Sequence, residues 1–149
     1  MRRLLVATVA AASLVLAGCG SDDSAGGLSD IKVSKDSKPK VSVGKGFTAT
    51  KTTSRVLTTG SGAALTAGDA VKVNYVAING RTGKEFDNSF TSDKPLTLTL
   101  SEKEVLPGFV KGLSGKKVGS RVLVAIPPKD GFGQAQPDLG MKKEDTMVF

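Results

Sequence analysis

From about Thr48 to Phe149 the apolar side chains recur at every second position in short runs, and that rhythm demands β-strands. Val71, Val73 and Tyr75 fall on one face, with Lys72 and Asn74 on the other. Leu96, Leu98 and Leu100 alternate with Thr97 and Thr99, and Val122, Val124 and Ile126 alternate with Leu123 and Ala125. Turn formers separate the runs: Gly60-Ser61-Gly62, Gly68-Asp69, Asn79-Gly80, Gly83, Lys94-Pro95 and Pro127-Pro128. Short strands with such connections pair antiparallel. One segment has the helical period, with Leu106, Phe109, Val110 and Leu113 at i, i+3, i+4 and i+7. Ser101 and Glu104 look like a capping box, but a helix begun there would hold Pro107 in its interior at a cost of about 3 kcal/mol. The spacing therefore predicts a helix that starts at Pro107 and stops at Ser114-Gly115. Because Gly108 and Gly112 lie inside it, packing against the sheet must hold it. The expected fold class is α+β, a curved antiparallel β-sheet wrapped around one short α-helix, in a single domain over residues 48–149.

The chain before this domain has a different character. Residues 1–18 read as a signal peptide: Arg2 and Arg3, an almost unbroken apolar run from Leu4 to Leu16, then Ala17 and Gly18. Thirteen positions are too few to cross a membrane, because a helix needs about 20 to span a hydrocarbon core of roughly 30 Å. The stretch Leu16-Ala17-Gly18-Cys19 resembles the bacterial lipobox, in which the thiol is acylated and the leader is cut immediately before it. Cys19 is then the lipidated N-terminus, held to the outer face of a membrane by acyl chains that contribute about 0.8 kcal/mol per buried CH₂. The location implied is extracytoplasmic, anchored in the cell membrane. An ordinary secretory leader, or a short buried helix with an incidental thiol, is the alternative. Residues 19–47 are rich in Ser, Gly, Asp and Lys and are expected to be a flexible tether, solvated from Gly20 to about Gly44, with a short strand near Lys40 to Val43.

Composition removes most chemistry. The net charge of +7 invites a nucleic-acid reading. Yet residues 68–149 carry 12 basic and 10 acidic groups, so the excess lies mostly in the tether. With one tyrosine and no tryptophan, base stacking would fall to six phenylalanines, and no nucleic-acid partner is expected. Histidine is absent, which excludes Ser/His/Asp and Cys/His nucleophiles and His-containing zinc sites, and the single cysteine excludes an internal disulfide. Glu85, Asp87, Glu102 and Glu104 lack the spacing of a calcium loop, and Gly131-Phe132-Gly133 lacks the Lys-Ser/Thr of a phosphate loop. No metal and no cofactor is expected. What remains is a set of apolar groups near turns: Tyr75, Phe86, Leu96, Val105, Leu106, Phe109, Phe132, Met141 and Phe149.

The order of short motifs is more specific than any one of them. Val71-Lys72-Val73-Asn74-Tyr75, Gly83-Lys84-Glu85-Phe86-Asp87-Asn88-Ser89, Lys94-Pro95-Leu96, Glu104-Val105-Leu106-Pro107-Gly108-Phe109, Gly112-Leu113, Val118-Gly119-Ser120-Arg121, Ile126-Pro127-Pro128 and Asp145-Thr146-Met147-Val148-Phe149 follow one another over about 95 residues. From about Ser54 to Phe149 the chain resembles the FKBP-type, macrolide-binding peptidyl-prolyl isomerases. With its lipobox it looks like the actinobacterial lipoprotein type of that family. The resemblance implies an FKBP-like half-open sheet around the helix, with a substrate proline inserted between them. Carried over position by position, Tyr75, Phe86, Asp87, Val105, Leu106 and Phe149 match the pocket motifs, Phe109 stands at the aromatic floor, and Leu96 at a wall that is often phenylalanine. The resemblance thus implies catalytic roles for Tyr75, Phe86, Asp87, Phe109 and Phe149. It likewise implies that Leu96, Val105, Leu106, Phe132 and Met141 bind the substrate, with the Leu106 N–H similar to the donor that holds its carbonyl.

The activity implied is cis-trans isomerisation of proline-containing polypeptides during the folding of exported proteins, by a monomer that also takes macrolides. The reaction needs no histidine: the X-Pro barrier of about 20 kcal/mol is amide resonance, and a dry pocket with fixed donors favours the twisted amide. A binding or chaperone module of the same fold, with little turnover, is the rival. Three departures bear on it. Phe132 stands where the family usually has a tyrosine, Ser92 where a basic partner of the aspartate is often found, and the family's final strand runs past the position of Phe149, so its C-terminal strand reads as truncated here, in a fragment or the first part of a longer chain.

Overall fold

Each alternating run forms a strand. The computed structural model describes residues 24, 25 and 27–149, and the leader at 1–18 and Cys19 lie outside them. In chain order the elements are β1 (Ser24–Ala25), β2 (Lys32–Val33), β3 (Val41–Ser42), β4 (Thr48–Ala49), β5 (Thr53–Thr58), β6 (Ala70–Val73), β7 (Val76–Asn79), β8 (Lys84–Asn88), β9 (Leu96–Thr99), α1 (Pro107–Leu113), β10 (Arg121–Ile126) and β11 (Met147–Val148). Strands β5-β10-β11-β7-β8 make one antiparallel sheet in that order, and β6 pairs with β9 in a second. The chain therefore changes partners between Val73 and Val76, at Asn74 and Tyr75.

The period-2 pattern sorts the main sheet into two faces. On the inner face Val124, Ile126 and Met147 pack with Met141, and α1 lies against them through Phe109 and Leu113. On the outer face Leu123, Ala125, Val148, Val76 and Ile78 form a second core. Val105 belongs to a third cluster, with Leu65, Leu98 and Leu100.

The outer core corrects the reading of residues 19–47 as a flexible tether. From residue 27 onwards this stretch is laid across the sheet, with Ile31, Val43 and Phe47 buried at 3%, 9% and 6% exposure, followed by Ala49. The Arg55 guanidinium donates to the Ile31 carbonyl, and that of Arg121 to the carbonyls of Ser34 and Asp36. Single apolar residues separated by polar ones do not show a core to a local reading. They build one here because the sheet's outer face is itself apolar, so each isolated side chain finds a partner distant in sequence. The same covering buries the second face of β10, whose run from Val122 to Ile126 is apolar throughout.

The helix runs from Pro107 to Leu113 and ends at Ser114, and Gly115 follows with φ of 74°, as the spacing requires. Its two glycines set the depth of packing. A Cβ on Gly108 would stand 2.3 Å from Ile126 Cγ2, and one on Gly112 2.5 Å from Val124 Cγ1. Both partners are β-branched and buried, so neither can yield cheaply. The glycines weaken the isolated helix by about 1 kcal/mol each, yet they let it settle onto β10, which places Phe109 at the floor of the inner face.

Candidate functional site

Phe149 is the centre of an aromatic cluster at the end of β11. Its ring centroid lies 4.7 Å from that of Phe109, 6.2 Å from Tyr75 and 6.3 Å from Phe86. These tilted and edge-on pairings are the stable ones for rings whose faces and edges carry opposite partial charge. Each ring arrives from a different element: α1, the β6–β7 junction, β8 and the end of β11. Met147 and Phe149 are two residues apart and share the inner face, while Val148 goes to the outer core.

Phe86 and Asp87 are neighbours on a strand and would ordinarily point to opposite faces. The pairing of β7 with β8 runs Ala77 to Asp87 and then Ile78 to Glu85, which leaves Phe86 as the extra residue of a β-bulge. A bulge turns adjacent side chains toward one side. Phe86 accordingly meets Phe149, while the Asp87 carboxylate accepts the Tyr75 hydroxyl at 2.6 Å and the Asn88 N–H at 2.8 Å. Burial, reinforced by the bond to Asp87 and its negative charge, pushes the Tyr75 phenol up to about 12. Tyr75 is thus a neutral donor and Asp87 is held in one orientation. Ser92 bonds to the Ser89 carbonyl instead of the aspartate.

Two cavities share Phe109. One of about 470 Å³ is lined by Leu96, Val105, Leu106 and Phe109, with Lys103 and Glu104. The other, of about 630 Å³, is lined by Tyr75, Phe109, Phe149 and Leu113 together with Val33 and Val41 of the N-terminal segment. Phe86, Asp87, Phe132 and Met141 line neither of the two. Phe86, Phe132 and Met141 instead pack with Leu106, Phe109 and Phe149 in the inner core. Leu96 is 41% exposed, an open rim and not a closed wall. Leu106 has extended backbone just before the helix, and its N–H donates to no group among the described residues. That free donor faces the chemistry a carbonyl would need. Val124 and Ile126 lie directly under the cluster and were legible only as core, from their alternation.

Comparison with known proteins decides the family. Residues 62–149 match the model of the FKBP-type peptidyl-prolyl cis-trans isomerases. The chain belongs to that family. The FKBP-type isomerase FkpA of Escherichia coli strain K12 is 38% identical over 95 residues, 64% of this chain and 34% of that protein. An FK506-binding protein of Streptomyces anulatus is 34% identical over 91 residues, 60% of this chain and 73% of that one. This FKBP-type chain therefore spans about a third of the length of FkpA. The crystal structure of FkpA superposes with a TM-score of 0.55 at 34% identity, covering 65% of this chain and 44% of that one. The N-terminal domain of FKBP42 from Arabidopsis thaliana superposes with a TM-score of 0.60 at 17% identity, covering 66% and 80%, a likeness of fold. The expected α+β class, a curved antiparallel sheet around one short helix, is the FKBP fold found.

Proposed function

We propose that this FKBP-type chain is a peptidyl-prolyl cis-trans isomerase, held outside the cytoplasm by a lipid on Cys19, that assists the folding of exported proteins. The reading is carried by the Leu106 N–H, free among the described residues, in a residue that lines the smaller cavity with Phe109, which both cavities and the ring cluster share. A proline ring laid on Phe109 puts its preceding carbonyl within reach of that N–H. A planar amide is the more polar form and loses more solvation in a dry aromatic site than the twisted one, whose resonance is broken. The fixed donor anchors the bound peptide by a carbonyl without reorganising, and the dry ring cluster supplies the preference for the twisted amide. Tyr75 and Asp87 form a polar edge that orients the peptide, Phe86, Val105, Phe132 and Met141 exclude water, and Leu96 stands at the open rim. No proton is transferred, so a chain without histidine suffices.

Proline-peptide turnover coupled to a conformation-selective protease tests the activity, and its absence from the folded parent removes it. Phe132→Tyr is expected to tighten macrolide binding up to roughly tenfold, the value of one added hydrogen bond, with a modest change in turnover. An unchanged affinity would place Phe132 outside the ligand site. The exposed Leu96 favours the second reading, a binding or chaperone module of the same fold with little turnover, which macrolide binding without turnover would establish. For the anchor, Cys19→Ala is expected to release the protein from the membrane pellet. Retention there after a salt wash would refute lipidation at Cys19.

A further inference from the structure

We propose that Ser89 is the positioning residue of this site, gripping Tyr75 by its backbone while Asp87 holds the same residue by its phenol. The inference rests on the isomerase reading for its effect on turnover, but its geometry is independent of it. At Asn74 and Tyr75 the chain leaves β9 and joins β8, so no strand ladder serves the backbone there. Ser89 replaces the ladder. Its N–H donates to the Tyr75 carbonyl at 3.1 Å, and its Oγ accepts the Tyr75 N–H at 3.0 Å. The same Oγ donates to Asn74 Oδ1 at 3.2 Å, which fixes the hydroxyl's direction.

Ser89 is 3% exposed, so its end of these part-buried bonds is shielded from water. Two residues before it on the same chain, Asp87 takes the Tyr75 hydroxyl, and residues two apart in extended backbone share a face. One short segment thereby holds both ends of one tyrosine. The Ser89 carbonyl also accepts from the Lys94 N–H and the Ser92 hydroxyl, which ties the β8–β9 loop to the same point. Removing the Oγ leaves the part-buried Tyr75 N–H without that partner, the junction shifts, and the phenol moves off the carboxylate.

Tyr75 is the chain's one tyrosine and there is no tryptophan, so the ultraviolet titration reports on this residue alone, through its burial and its contact with Asp87. In folded Ser89→Ala the phenol is expected to titrate below the parent, moving from about 12 toward the ordinary tyrosine value of about 10. Turnover should fall about tenfold, the worth of one lost orienting bond. Ser89→Thr keeps the hydroxyl and should restore both. Asn74→Ala, at an exposed position, frees the Ser89 hydroxyl and should produce a smaller shift in the same direction. The proposal is overturned if the folded Ser89→Ala and Asn74→Ala proteins both titrate like the parent, or if turnover falls while the titration stays fixed. A parent without turnover counts against the isomerase reading alone, and the titration still decides the role of Ser89.

Discussion

Phe86→Ala combined with Asp87→Val is expected to remove most proline-peptide turnover, roughly 100-fold or more, while leaving a folded protein. The bulge in β8 delivers both side chains to one side, so the double change opens the ring cluster beside Phe149 and strips Tyr75 of its acceptor together. Water then reaches the site and solvates the planar amide, which cancels the preference for the twisted form. Loss of a single preorganised polar group at an active site commonly costs about 10²-fold, and here the apolar wall of Phe86 is lost with it. Phe86 is only half-buried and Asp87 is exposed, so global stability should change little, and circular dichroism checks this. Full turnover in a folded double variant would mean that catalysis occurs elsewhere on the molecule.

Phe47→Ala is expected to lower stability by about 3–5 kcal/mol, the usual cost of emptying a phenylalanine site in a core. A domain of this kind has about 5–15 kcal/mol in all, so the thermal midpoint should drop by well over 10 °C. The side chain is 6% exposed and packs in the outer core with Ile78, Ala125 and Val148. Phe47 also anchors the return of the N-terminal segment to the sheet, through its N–H to the Gly80 carbonyl at 3.0 Å. A solvated tether would show no such effect. A midpoint unmoved by Phe47→Ala would mean that the segment is not part of the folded unit.

Short-range periodicity was legible in the chain alone. Alternation at Val122–Ile126 and Leu96–Leu100 set the strands and their faces, and Pro107 with Ser114-Gly115 bounded the helix to the residue, because these signals act within a few positions of one another. The resemblance carried by the order of motifs implied one site for Phe109, Phe149, Tyr75 and Asp87, and these side chains touch one another through Phe149 and Tyr75. Contacts between partners far apart in the chain emerge only in the folded molecule. The segment holding Ile31, Val43 and Phe47 becomes core because a sheet face completed about 100 residues later is there to receive it. The extra residue at Phe86 appears only when β8 is laid in register against β7, and no local pattern specifies that register. Ser89 reads as an ordinary turn serine until the break between β6 and β7 leaves Tyr75 without a ladder partner, and its hydroxyl is the group within reach of that orphaned N–H.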